Sequence, residues 1–200
     1  MEPRRVVITG TGVISPVGNE VSQFWSALTA GRCGITVCPD LAEAGLPVHV
    51  AGVVRDFDPT AFGLTVKETK RNDRFCLFAQ AAAWQAMNES GLVAGTNIAP
   101  ERLGVYVGTG IGGMQTFIEQ TQVLLSEGAN RISPLFIPKM IANIAAGNIA
   151  ICYHAEGANL TTSSACASST QSVGEAYRAV RYGYADAVIA GGTEAVLNPL

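Results

Sequence analysis

Hydrophobic positions along this chain alternate between short continuous runs and longer helical stripes. Val6-Val-Ile-Thr9 is an apolar run closed by Gly10, the pattern of a strand covered on both faces. Asn19 caps a helix carrying Val21, Phe24, Trp25 and Leu28, which Gly31 ends. A less regular segment with Cys33, Cys38, Pro39 and Pro47 leads to a strand from Val48 to Val54. A mixed polar stretch from Asp58 to Arg71 precedes an alanine-rich helix from Phe75 to Met87. That helix has Phe75, Phe78, Ala82 and Ala86 on one side and Gly91 as its C-cap. Leu103-Gly-Val-Tyr-Val107 reads as another buried strand, running into Gly108-Thr-Gly-Ile-Gly-Gly113 and a helix to about Glu127. Pro138 opens a helix that continues through Cys152.

The next stretch organises the rest. A short buried strand (Leu160, Thr161, Thr162) turns abruptly at Cys166 into a helix reaching about Tyr182. Val173, Ala176, Tyr177 and Val180 stand at the offsets of one helical face. Ala187-Val-Ile-Ala190 is the last strand, followed by Gly191-Gly-Thr-Glu194. Strands alternating with helices predict an α/β fold, a largely parallel sheet with helices on both faces, in one or at most two domains.

Composition narrows the function classes. The 200 residues are 48% hydrophobic and 14% charged, enough for a real core and a large buried interface. A net charge of −3 argues against nucleic acid as the main partner. The apolar run from Met140 to Cys152 is interrupted by Asn143 and Asn148, and it falls short of the ~20 residues of a membrane span. Five cysteines at irregular spacing and an N-terminus without a signal-peptide pattern imply a reduced, cytoplasmic setting.

Three chemistries can be weighed. Gly108-Thr-Gly-Ile-Gly-Gly113 fits a dinucleotide-binding G-x-G-x-x-G, but no acidic residue ends a following strand about 20 residues on; a tight turn explains it as well. Cys33, Cys38 and His49 do not make a metal-ligand set, and nothing calls for a cofactor. Cys166, at the start of a helix, is placed where orphan N–H groups and the helix dipole favour a thiolate. It is a candidate nucleophile whose own N–H could serve as an oxyanion donor, though it also fits a small buried cysteine. Neither His49 nor His154 lies in a segment that reads as a site loop, so the nucleophile has no visible base.

Taken together, several motifs resemble a known family across the whole chain. They are Val6-Val-Ile-Thr-Gly-Thr-Gly-Val-Ile-Ser-Pro-Val-Gly18, Arg74-Phe75, Gly108-Thr-Gly-Ile-Gly-Gly113, Ile132-Ser-Pro134, Ser164-Ala-Cys-Ala-Ser168, and Gly174-Glu-Ala176 through Gly191-Gly-Thr-Glu-Ala195. The pattern is similar to the β-ketoacyl-[acyl-carrier-protein] synthases, closest to the elongating type II enzymes of fatty-acid synthesis. The resemblance implies a thiolase-like fold, in which two βαβαβαββ halves form a five-layered α-β-α-β-α sandwich. Residues 1–200 correspond to the first half, the N-terminal domain.

It further implies that Cys166 accepts the acyl chain as a thioester before decarboxylative condensation with malonyl-carrier protein. Ile111, Phe136 and Ile137 fall where the family lines its acyl pocket; ordinary packing is their other reading. Lys67, Lys70, Arg71 and Arg131 fall where the family presents basic residues to the acidic acyl carrier protein; a solvated charged face is theirs. The family's two catalytic histidines lie in its second half, and neither His49 nor His154 aligns with them. Ala158 stands where relatives usually have proline. The expectation is therefore an incomplete module, inactive alone, working as a homodimer or with a complementing C-terminal half. A broad apolar face around Val173, Ala176 and Val180 would be left for that half to cover. The other functions that fit are a non-catalytic dimer partner of a condensing enzyme, a polyketide-type ketosynthase and a thiolase-like acyltransferase.

Overall fold

The buried run predicted at 103–107 forms the centre of the sheet. In the computed structural model, which describes residues 4–200, strand β3 (Leu103–Gly108) is buried at every position. It is flanked in parallel by β4 (Asn159–Leu160) and β5 (Ala187–Gly192), giving the order β4-β3-β5. Met1–Pro3 of the N-terminal stretch lie outside the described residues.

Side chains alternate across a strand, so β3 serves two faces. Val105 and Val107 pack against helix α4 (Arg74–Ser90) and helix α7 (Ile144–Cys152), in a core with Phe75, Cys76, Ala145, Ala146 and Ile149. Tyr106 points the other way, onto Ala176 and Ala179 of helix α8 (Ser168–Arg181). The result is an α-β-α stack. Helix α4 is set by its ends: Asp73 caps its N-terminus, and Gly91, at φ 65°, closes it as expected.

The remaining elements are helix α1 (Val21–Thr29), a ribbon of β1 (Ile35–Val37) and β2 (Val50–Gly52), and helices α2 (Pro39–Glu43), α3 (Val66–Arg71), α5 (Met114–Glu127) and α6 (Phe136–Met140). The ribbon is antiparallel, and the irregular segment between Cys33 and Pro47 supplies β1 and α2. Among the described residues no helix is long and apolar enough to cross a membrane.

Three expectations are corrected. Among the described residues Val6–Thr9 joins no ladder, and Val7 and Ile8 are exposed. Glycines carry this segment along α4 instead: a β-carbon at Gly10 or Gly12 would lie 2.0 or 1.9 Å from the Ala86 or Ala82 carbonyl oxygen. On α1, Val21, Trp25 and Leu28 are exposed and only Ala27 is buried. The helix expected from Pro138 to Cys152 is two helices. The Met140 carbonyl accepts the Gly113 N–H at 2.9 Å, and Ile141 turns extended at ψ 141°.

Helix α8 lies on β3 through a different stripe. This stripe consists of Ser168, Ser172, Ala176 and Ala179, small residues that let the helix lie close on β3. Of the apolar face expected to be left for a second half to cover, Val173 and Tyr177 are exposed and Val180 is half-buried; only Ala176 is buried.

The lower end of the sheet is tied by one carboxylate. Asp186 accepts hydrogen bonds from Arg102 Nη2 at 2.9 Å and Arg4 Nη1 at 2.6 Å, joining β3, β5 and the N-terminal segment. Bonds from Arg102, then Arg4, hold its carboxyl down at about 2, against an ordinary 3.8. The group is half exposed, so each pair contributes little. Because the folded value lies below the unfolded one, the stabilisation is complete above pH ~4 and is lost as pH falls toward ~2. The melting-temperature difference between wild type and Asp186→Asn should therefore shrink to nothing between pH 5 and pH 2. A constant difference would refute the linkage.

Candidate active site

Cys166 stands at a corner built from neighbouring hydroxyls. Thr162 Oγ1 donates to the Ser168 carbonyl at 2.7 Å and pairs with Ser172 Oγ at 2.8 Å. Ser168 Oγ accepts the Ser164 N–H at 2.9 Å and donates to the Ala165 carbonyl at 2.7 Å. The amides of Ala167 and Ser168 close the turn onto the carbonyls of Ser164 and Ala165, each at 3.1 Å. Gly108 admits this corner: a β-carbon there would lie 2.4 Å from the Ser168 carbonyl oxygen.

The turn forces Ala165 to φ 52°, a left-handed conformation that costs a residue with a β-carbon about 1–3 kcal/mol. Such strain persists only where the surroundings over-determine it, and here hydroxyl and amide bonds do so. Cys166 follows directly. It lies two residues ahead of Ser168, with Ala167 as the N-cap, so it is beside the helix N-terminus rather than in its first turn. The strand before it is shorter than expected, and Leu160 is exposed, not buried. The Cys166 thiol is exposed too, and among the described residues its N–H donates to no protein acceptor. One residue thus offers a nucleophilic atom and an uncommitted donor.

The other cysteines differ. Burial, and then Asp73, push the Cys76 thiol far up. Burial and Glu68 push Cys152 up despite its partial exposure. Cys38 is buried and Cys33 exposed on the ribbon side. Among the described residues no cluster could hold a metal ion. His49 bonds to the Leu46 carbonyl, and His154 sits past α7 at φ 51°; neither hydrogen-bonds to the corner.

The glycine-rich turn after β3 is bonded to the Cys166 corner on one side and to α6 on the other. Ser163 Oγ donates to the Gly110 carbonyl at 3.1 Å, fastening the turn to the Cys166 corner. Three residues on, Gly113 N–H bonds to Met140 at the end of α6. Ile111 therefore lies between the corner and the helix carrying Phe136 and Ile137. Ile111 and Ile137 are exposed, while Phe136 is partly buried against Phe117, with ring centroids 6.3 Å apart.

The basic residues divide. Lys67, Lys70 and Arg71 are exposed together on α3, whose start is fixed by a capping box between Thr65 and Glu68. Arg131 stands on a separate 3-10 turn and pairs with Glu127 at 3.2 Å.

Two residues escaped sequence reasoning. Glu194 holds the glycine-rich turn from across the sheet, with Gly110 N–H donating to its Oε2 at 2.6 Å and Thr109 Oγ1 to its Oε1 at 3.1 Å. Asp73, the α4 cap, also accepts from Thr116 N–H and Oγ1 at the start of α5, at 2.8 and 2.6 Å. The sequence signal for Asp73 was its place just ahead of a helical stripe. Glu194 stood in the Gly191-Gly-Thr-Glu-Ala195 motif, which gave no sign of its bonds to the glycine-rich turn.

Residues 3–200 match the family described as β-ketoacyl synthase, N-terminal domain. Over all 200 residues the chain is 46% identical to 3-oxoacyl-[acyl-carrier-protein] synthase 2 of Synechocystis sp. and 44% identical to that of Coxiella burnetii. Among solved structures it resembles an ishigamide ketosynthase/chain length factor, with a TM-score of 0.87 at 28% identity. That likeness covers 98% of this chain and 49% of the other. The chain spans about half the length of the curated relatives it matches, 48% of each of the two named.

Proposed function

The chain belongs to the β-ketoacyl synthase family, and from that membership we propose that it is the nucleophile-bearing N-terminal domain of a 3-oxoacyl-[acyl-carrier-protein] synthase. The observation that carries this is the exposed Cys166, with its uncommitted N–H, on a strained corner beside a helix N-terminus. In the first step the Cys166 thiolate attacks the carbonyl carbon of an acyl thioester. The tetrahedral oxyanion meets the Cys166 N–H, and collapse expels the carrier thiolate and leaves acyl-Cys166. In the second, loss of carbon dioxide from malonyl-carrier protein gives a carbanion. It attacks the acyl-Cys166 carbonyl, forms the new C–C bond and returns the sulfur as thiolate.

Ile111, Phe136 and Ile137 are proposed to line the acyl pocket, because the turn holding Ile111 bridges the corner and α6. The exposed cations Lys67, Lys70 and Arg71 on α3, with Arg131, are proposed to receive the acidic carrier protein. The relatives' names give an acyl-carrier-protein substrate, which supports that partner. The histidines of the second step are assigned to the segment of the relatives outside this chain's span. The working assembly is a homodimer or a pairing with a complementing C-terminal half.

The test is incubation with acyl-carrier protein followed by intact-mass and peptide mapping. The expected product is a hydroxylamine-labile acyl adduct on Cys166. No adduct, together with Cys166 alkylation no faster than that of exposed Cys33, would reassign the chain to a non-catalytic partner role.

A further inference from the structure

The segment after β5 does more than leave the sheet. Thr193 N–H donates to the Gly108 carbonyl at 3.0 Å, and Thr193 Oγ1 donates to the Phe75 carbonyl at 2.7 Å. These bonds fix the backbone between the end of β3 and the first turn of α4, and they aim the next side chain across the glycine-rich turn. There Glu194 takes Gly110 N–H on one carboxylate oxygen and the Thr109 hydroxyl on the other. Thr109 Oγ1 in turn accepts the Gly112 N–H at 3.1 Å, so one carboxylate sets two of the turn's amides. On its far side the turn meets the Cys166 corner. Ser163 Oγ bonds to the Gly110 carbonyl, and a β-carbon at Gly110 would stand 3.7 Å from Ala165 Cα.

We propose that Glu194 is a positioning residue for Cys166. It holds the Gly110 turn as the abutment against which Ala165 keeps its left-handed conformation. This rests on the reading of Cys166 as the acyl-accepting nucleophile and adds a second element to that site. Glu194 is itself exposed, so its part lies in the direction of its two bonds rather than in burial. A carboxylate only accepts, and both groups facing it are donors, which makes the bonds charge-assisted, the one from Gly110 N–H the shorter at 2.6 Å. Without them the turn can drift. Ala165 can then relax to an ordinary conformation, and the thiol leaves its place beside the start of α8.

Competitive iodoacetamide labelling at neutral pH, mapped by mass spectrometry, tests this with three cysteines in one tube. Cys166 reports the site, exposed Cys33 the reagent, and buried Cys76 the fold. Glu194→Ala should slow Cys166 about tenfold relative to Cys33 while Cys76 stays protected. Glu194→Gln, which can still accept the Gly110 N–H, should restore the rate to within about twofold, a rescue that a general loss of packing would not give. A wild-type Cys166 no faster than Cys33 defeats the nucleophile reading itself. A fast wild type with an equally fast Glu194→Ala, Cys76 protected in both, overturns the role of Glu194. If Glu194→Ala exposes Cys76, Ser163→Ala decides, since it cuts only the link from the turn to the corner. A slowed Cys166 there supports the proposal, and an unchanged one overturns it.

Discussion

Replacing Cys166 with alanine should abolish acyl transfer to the protein and leave its melting temperature unchanged. The side chain is exposed and its N–H is uncommitted, so alanine removes no packing and no hydrogen bond of the fold. What disappears is the attacking atom. Removing a covalent nucleophile lowers the rate by a factor on the order of 10³ or more, leaving only what binding and oxyanion donors supply. Serine is the sharper variant. It keeps shape and polarity, but at neutral pH its hydroxyl is far less ionised than a thiol, so acylation should again fall on the order of 10³-fold. Acyl-adduct formation from acyl-carrier protein, followed by mass spectrometry beside a thermal melt, checks both. Cys76→Ala is the contrast. That side chain is fully buried against β3, so it should cost stability and leave Cys166 acylation in the folded fraction intact. Persistent acylation of Cys166→Ala at another cysteine would remove Cys166 from the mechanism.

The contrast between these cysteines also shows what a sequence can disclose. The α/β class was legible because its main signals are local, while the thiolase-like arrangement came only through the family resemblance. Leu103–Val107 is a continuous apolar run, Gly91 closes α4, and the chain alternates strand and helix. The Cys166 corner was legible as a strand breaking into a helix. Its working parts were not, because they are contacts across the sheet. Glu194 lies 84 residues from Gly110, and no spacing rule links them.

The misreadings have physical causes. On α8 the pattern Val173, Ala176, Tyr177, Val180 marked the helix but not the side that meets β3, where serine and alanine allow a close approach. Pro138 looked like a helix start, yet it is the third residue of a helix that ends where Gly113 claims the Met140 carbonyl. Val6–Thr9 reads as a buried strand from hydropathy alone. In the structure its apolar residues Val7 and Ile8 stay exposed, as do Val173, Tyr177 and Leu160 beside the site. A pattern reports which side chains favour burial; it cannot name the surface that buries them.

Asp73→Ala is expected to be the most destabilising single change at a polar residue of this fold. The side chain is buried, and it serves two helices at once. One oxygen caps α4 through the Phe75 N–H at 3.4 Å, while the other receives the amide and hydroxyl of Thr116 in the first turn of α5. Loss of an N-cap costs about 0.5–2 kcal/mol. Each buried donor left without an acceptor costs a further ~1–3 kcal/mol. Thr116 presents two such donors, although its hydroxyl can turn to another acceptor. With the hydroxyl turned away the sum is about 1.5–5 kcal/mol, a large part of the ~5–15 kcal/mol that holds a domain together. Asp73→Asn retains one good acceptor and should lose about half as much. Urea midpoints at fixed slope measure the difference, and Cys76, packed directly behind Asp73, gives a second reading through its protection from alkylation. The consequence for the site follows from the same bonds. Asp73 joins the start of α4 to the start of α5, and the glycine-rich turn enters α5 at Met114. Loosening that junction frees the turn from its α5 end, so Cys166 labelling should slow in whatever fraction of Asp73→Asn stays folded. An Asp73→Ala protein with an unshifted urea midpoint would mean that α4 and α5 hold their places without the shared cap.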